Sequence, residues 1–477
     1  MLTRLEVKGF KNLLDVKIDF GPFTCIAGAN GTGKSNVFDA IEFLSYLADE
    51  TLAEAAQRVR GASGSPGGDP RDLFWDGYRD GEHRISLTAE MIVPAEVEDD
   101  LGVIAKATAT FLRYDLVLEF KSPPTGRGVG RLGLAHEELR AVKRGDIARH
   151  MRFPHSAENF RDTVVIGQGE SDVFLTTESW EDLTFIHVHG DRGSHDQPPP
   201  RIAAGKARRT VLSSVTGADS HPTIVAARRE MQSWRRLALE PSALRAPDGF
   251  AAPRSLGTDG RHLAATLFRM AVETDHDVGV QDEEAVYAQV ADRLSDLSGV
   301  GVESLRVEPD PAREVLTLYL QERGGLRLPA RALSEGTLRF LALCVLLEDP
   351  TVTGLICMEE PENGIHPANL PAMVELVRDL SVDATERPGA TNPYRQVVIN
   401  THAPGVVQLC DPDDLLLAET RPQRAPDGRV VSALSLLPYR GSWRAKQGGP
   451  TFSKADVIPY LVAPPGAQLR LSSETEG

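Results

Sequence analysis

Residues 23–38 constrain the chain more than any other stretch. Phe23 to Ala27 is a short apolar run, a Gly-rich turn follows, and Val37, Ile41, Leu44 and Leu47 then recur at helical spacing. The order is buried strand, loop, helix. Inside it, Gly28, Ala29, Asn30, Gly31, Thr32, Gly33, Lys34 and Ser35 match G-x-x-x-x-G-K-[ST] without a mismatch, with Asn36 directly behind. Glycines there let successive backbone N–H groups close around phosphate oxygens, and the new helix turns its positive end toward them. Lys34 is placed to meet the outer phosphates of a nucleotide, and the Ser35 hydroxyl to hold Mg²⁺.

Two further blocks gain weight from the first. Ala332 to Leu347 places Ser334 and Gly336 just before an apolar helix, which alone is only a capped core helix. After Asp349-Pro350, the apolar run Gly354 to Met358 ends in Glu359-Glu360-Pro361-Glu362. Paired carboxylates at the end of a central strand stand where ligands bind in open α/β sheets. One can reach Mg²⁺ through water, and its neighbour can orient a water for phosphoryl transfer. A third apolar run, Gln396 to Ile399, ends in Asn400-Thr401-His402.

These blocks, in this order, resemble the ABC-type ATPase heads of the RecF/SMC class. Within it the chain looks most like the bacterial AAA-type ATPases related to the OLD family, in a form without a nuclease domain. The likeness covers residues 1–120 and 255–420, and the opening Lys8-Gly9-Phe10-Lys11-Asn12 shares it. It implies an α/β P-loop NTPase fold: an ABC-ATPase-like head with a mixed central sheet, an added antiparallel β-sheet and an inserted, mostly helical region. By the same likeness Gly28 to Ser35 form Walker A, Leu333 to Gly336 the ABC signature, Glu359 and Glu360 the Walker B end, and His402 the switch histidine. Lys34, Glu360 and His402 would then be catalytic, Ser35 and Glu359 would hold Mg²⁺, and Phe10 and Asn12 would lie near the ATP. Glu359 stands where most such heads carry Asp, and the glutamine of the Q-loop has no assignable position.

The resemblance also implies partners. In such heads the signature of one subunit closes over ATP held by another, so Ser334 and Gly336 would act in trans in a homodimer, with room for a higher oligomer. The segment after His402 is expected to be too short for a metal-dependent nuclease, which leaves an ATPase driving a separate effector, a nuclease or toxin, in prokaryotic anti-phage defence. The alternative is a RecF-like clamp on DNA in repair or maintenance. A membrane-transporter ATPase fits poorly with the Glu-Glu-Pro-Glu-Asn block and the large insertion.

The rest of the chain bounds these readings. Residues 2–20 alternate as two antiparallel strands, alternation returns at Arg84 to Val93 and Arg113 to Phe120, and 61–70 is a Gly/Pro/Ser loop. The expected division is 1–120, an insertion 121–254, 255–420 and a tail 421–477. A helix is predicted over 258–273 with Asp259 as its cap, strands over Val302 to Val307 and Val315 to Leu320, a turn and helix start at Asp411 to Asp414, and disorder from 466 on. No sustained heptad supports a coiled-coil arm. A formal charge of -16, from 52 Lys+Arg against 68 Asp+Glu, means any DNA contact needs a local basic face. Arg140 to Arg152, Lys206 to Arg209 and Arg228 to Arg236 could supply one, or could be ordinary solvated faces. Four scattered cysteines read as core residues of a reduced protein, and the longest apolar run is too short to span a bilayer, so a cytoplasmic protein with no membrane partner is expected.

Overall fold

The computed structural model describes residues 1–59, 69–75, 84–122, 130–167, 172–181, 183–191, 200–272, 283–298, 301–425, 428–453 and 455–456. Most of the loop expected at 61–70, and the chain end expected to be disordered, lie outside these residues. Among the described residues no helix is long and apolar enough to cross a membrane.

A six-stranded sheet forms the centre. Its order is Arg235–Leu237, Gly354–Glu359, Arg395–Thr401, Phe23–Ala27, Leu415–Arg424 and Val430–Pro438, parallel except for the last pair. Strands covered on both faces need apolar residues at successive positions, and these have them. Cys25, Ile356, Met358, Val397, Ile399 and Leu417 point to one core, while Ile26, Leu355, Cys357, Val398 and Leu416 point to the other.

The second of these cores lies between the central sheet and an eight-stranded antiparallel sheet. That sheet runs Arg201–Ala203, Leu183–Val188, Val173–Trp180, Arg131–Ala141, Phe111–Lys121, Arg84–Ile92, Leu2–Phe10 and Leu13–Asp19. Between the layers the helix Ser35–Leu47 buries Val37, Phe38, Ile41 and Leu44. Over the other face lie the helices Leu263–Val272, Glu283–Ser298, Glu335–Glu348 and Leu370–Asp379, with a small sheet built on Val302–Asp310 and Val315–Glu322. The P-loop helix is thus held from both sides.

Several expectations change. The stretch 121–254 is mixed, not mostly helical: it adds Arg131–Ala141, Val173–Trp180 and Leu183–Val188 to the antiparallel sheet and Arg235–Leu237 to the edge of the central one. Pro and Gly cut it into pieces too short for a clear period, and pairing with pre-existing sheet edges makes strands of them. The strands Phe111–Lys121 and Leu415–Arg424 run across the divisions at 120/121 and 420/421. Asp259 bonds Arg261 instead of capping a helix; Asp248, on the neighbouring strand Asp248–Gly249, accepts the amide of Ala265 at 2.9 Å and does that work from a distance in sequence. Asp411 to Asp414 lead into a strand, not a helix, and Asp414 pairs with Arg378 at 2.7 Å while burial pushes its carboxyl up to about 6. All four cysteines are buried and free.

One buried ion ties the helical layer to the central sheet. Arg395, only 1% exposed at the start of its central strand, donates to the carbonyls of Leu346 and, at 2.9 Å, Leu347. These belong to the last turn of the helix Glu335–Glu348, whose C-terminal carbonyls have no partners within the helix. Burial lowers the guanidinium to about 10, still ionised at neutral pH. Arg395→Met is expected to leave both carbonyls buried and unpaired and to lower stability by about 2–4 kcal/mol, read as a shift in the urea midpoint at unchanged slope.

Candidate functional site

The loop after Phe23–Ala27 is held by contacts from outside it. A Cβ on Gly33, at φ +95°, would sit 1.8 Å from Asn12 Nδ2, and one on Gly28 would sit 2.6 Å from the carbonyl oxygen of Ala418. Only glycine fits either place. Asn12, in the turn of the first hairpin, donates to the Thr32 carbonyl at 3.0 Å and accepts from Asn36 at 2.7 Å, clamping the loop onto its helix. Lys34 is buried, and its Nζ donates to the carbonyls of Gly28 at 2.7 Å and Ala29 at 2.9 Å. Its pKa is lowered by burial, against the opposing pull of Glu360, Glu359 and Glu362.

Parallel pairing aligns three strand ends. Glu359 lies opposite Asn400 and Thr401 opposite Ala27, so the residues following each strand gather at one edge. A cavity of about 200 Å³ opens there, lined by Asn30, Gly31, Gly33, Lys34, Ser35, Glu359, Glu360 and Asn400. Glu360 has φ +45°, strained for a residue with a side chain. Its amide donates to the Asn400 carbonyl at 3.0 Å; its carboxylate accepts from Asn363 at 2.8 Å and lies 2.7 Å from His402 Nδ1. Burial works against its charge, but those bonds and the charges of His402 and Lys34 prevail and hold the carboxyl below its usual range. Glu360 is therefore an ionised group aimed beside Lys34.

Glu362, in the same turn, behaves differently. It is buried, burial raises its pKa, and one oxygen accepts from Thr401, whose own hydroxyl accepts from the Ala403 amide at 2.9 Å. This contact fastens the turn after Glu359 to the strand end carrying His402. Glu359 is joined by Arg236, whose Nη2 lies 2.8 Å from Glu359 Oε2.

The predicted site residues thus fall into three groups. Gly28 to Asn36, Glu359, Glu360 and His402 come together, with Asn12 as a support behind the loop. Phe10 does not join them: it is fully buried and stacks on Phe43 at 5.8 Å, because its position in an alternating strand faces the core. Ser334 and Gly336 do not line this cavity; Ser334 caps its helix through the Thr337 amide at 3.1 Å, and a Cβ on Gly336 would sit 3.2 Å from the Gly364 carbonyl. No glutamine is among the lining residues. Arg236 was hidden in a basic stretch read as a surface. In the fold that stretch turns inward: Arg228 and Trp234 are buried, and the Trp234 indole donates to Glu230 at 3.0 Å. Its local signal is the apolar Leu237 beside it; the parallel pairing that sets Arg236 opposite Cys357, two residues before Glu359, is a product of the fold.

Residues 1–58 match a family model described as "RecF/RecN/SMC N terminal domain", and residues 195–408 one described as "AAA domain, putative AbiEii toxin, Type IV TA system". The chain carries an ABC-type ATPase head of the RecF/SMC class. Among curated relatives, the DNA replication and repair protein RecF of Lactococcus lactis is 28% identical over 32% of this chain and 37% of its own length. The OLD nuclease of Thermus scotoductus is 46% identical over 9% of this chain and 8% of its own. The RecF of Phocaeicola vulgatus is 34% identical over 13% and 16%. The chain thus spans well under two thirds of the length of these relatives. A solved SMC head bound to the C-terminal winged-helix domain of ScpA aligns over 94% of this chain and 99% of that one, at 15% identity and a TM-score of 0.46, too loose a likeness to carry a residue across.

Proposed function

We propose that this chain binds ATP with Mg²⁺ and hydrolyses it, and that ATP brings two copies together. The observation that supports it best is that Lys34, Ser35, Glu359 and Glu360, from separate strand ends, line one cavity. The residues present suit such a ligand. The Gly28 and Gly33 cradle admits no Cβ, and the donors for a cation are hard oxygens, the Ser35 hydroxyl and the Glu359 carboxylate, the latter already meeting a guanidinium as a stand-in cation. Phosphate oxygens would replace the Gly28 and Ala29 carbonyls as partners of Lys34. When bound, Mg²⁺ would offset charge on the outer phosphates. Glu360, ionised and fixed by Asn363 and His402, would orient the attacking water, and His402 would sense the terminal phosphate through that contact.

Closure follows from electrostatics. The helix Glu335–Glu348 starts at the exposed Ser334 with free N–H groups at its positive end, and we infer that it meets the terminal phosphate of ATP held by a second copy. Hydrolysis would remove that bridge. We further propose that the cycle drives a separate nuclease or toxin in anti-phage defence, a reading supported by the AAA-domain match and by the short OLD nuclease match. The RecF matches favour a second reading, a DNA clamp, for which exposed Lys143, Arg144, Lys206, Arg208 and Arg209 are available.

Lys34→Ala is expected to abolish binding of ATP in calorimetry; ordinary affinity would remove the site from the account. Glu360→Gln is expected to bind ATP normally, release phosphate at least about a hundredfold more slowly, and accumulate as a dimer in light scattering. Phosphate release at the parent rate would end the role assigned to Glu360. Double-stranded DNA that raises the ATPase rate and binds with a steep loss in salt would select the clamp, whereas no response to DNA and co-purification of a nuclease or toxin would select the effector.

A further inference from the structure

Arg236 occupies a position that neither the proposed chemistry nor the family matches account for. It lies on the edge strand Arg235–Leu237, opposite Cys357 in the parallel register, and its side chain forks. Nη2 holds Glu359 Oε2 at 2.8 Å, while Nη1 lies 3.2 Å from Asp39 Oδ1 and 3.3 Å from Glu42 Oε2, both on the P-loop helix. Asp39 is shared, since Lys11 also pairs with it. One guanidinium therefore bridges the carboxylate at the cavity and two carboxylates on the helix behind the phosphate loop.

We propose that Arg236 is a positioning residue that holds Glu359 in the absence of a divalent cation and must yield it when one binds. The inference rests on the reading of Glu359 as a ligand of Mg²⁺ and adds a control on it. Glu359 lines the cavity with Lys34 and Ser35, and the same carboxylate faces Arg236. A divalent cation drawing on that carboxylate competes with the guanidinium for its charge and repels it. Asp39 and Glu42 give the guanidinium somewhere to go, because a planar fork can keep its second pair while giving up the first. Entry of the cation is thereby linked to a tighter hold of Arg236 on the helix Ser35–Leu47. The arrangement keeps Glu359 oriented without a metal and sets a threshold for the metal.

The test is the Mg²⁺ concentration that half-saturates tight binding of a fluorescent ATP analogue to the full chain, a readout that needs no turnover. Arg236→Gln is expected to lower that concentration about three- to tenfold, the size of losing one partly exposed charge-assisted pair. Arg236→Lys, a point charge without a fork, is expected to restore most of the parent requirement. Glu42→Gln shifts the guanidinium toward Glu359 and is expected to raise the requirement about two- to threefold, a direction opposite to that of Arg236→Gln. General loosening of the fold would not move the two variants apart. An unchanged or raised requirement in Arg236→Gln overturns the proposal. If that variant does not fold, Glu42→Gln decides alone: a rise supports the proposal, and no change or a fall overturns it. A parent protein that does not bind the analogue at any Mg²⁺ concentration overturns the proposed function together with this inference, whereas a parent that binds while both variants match it overturns only the inference.

Discussion

The parallel hydrogen bonding of three strands is the constraint on which the rest of this molecule depends. Because Phe23–Ala27, Arg395–Thr401 and Gly354–Glu359 run side by side in one direction and in register, their C-terminal ends lie at one edge of the sheet. A phosphate loop, more than three hundred residues from the other two in sequence, a carboxylate turn and a histidine turn therefore become neighbours. Side chains at such ends point outward from the sheet, where no further strand competes for them. An antiparallel arrangement of the same three strands would put one of these turns on the far side.

Keeping those ends aligned needs both faces of the sheet to be packed. The antiparallel sheet and the P-loop helix do this on one side, and the helices after residue 262 on the other. Polar contacts then set the finer geometry. Asn12 fixes the phosphate loop, Thr401 and Glu362 fasten two turns together, and Arg395 ties the helix of Ser334 to the central sheet. Each contact joins segments far apart in the chain, so the edge behaves as one unit. The strained backbone at Glu360 persists because Asn400, Asn363 and His402 all hold it.

The charges at that edge are unevenly matched by design of the fold. Glu359, Glu360 and Glu362 surround Lys34, and each carboxylate has its own environment: paired with the Arg236 guanidinium, hydrogen-bonded and held below its usual range, or buried with its pKa raised. Three chemically identical side chains within four residues can therefore take three tasks. The stretch 228–236 illustrates the same point for cations, since Arg228 is held by the Ala48 carbonyl and Arg236 by Asp39, Glu42 and Glu359.

The linear order of residues was enough to establish what is local. Gly28 to Ser35 specify a phosphate loop because the glycines, the lysine and the helix start are written in eight consecutive positions, and the alternation in 2–20 marks strands because a two-residue period needs only neighbours. The apolar runs ending in Glu359 and Thr401 announce buried strands for the same reason. Which face Phe10 takes, that Asp248 and not Asp259 caps a distant helix, that 121–254 splits between two sheets, and that Arg236 reaches Glu359 were decided only in three dimensions. Those contacts join positions far apart in the chain, and a short polar or charged segment carries no period that tells it which partner the fold will bring near.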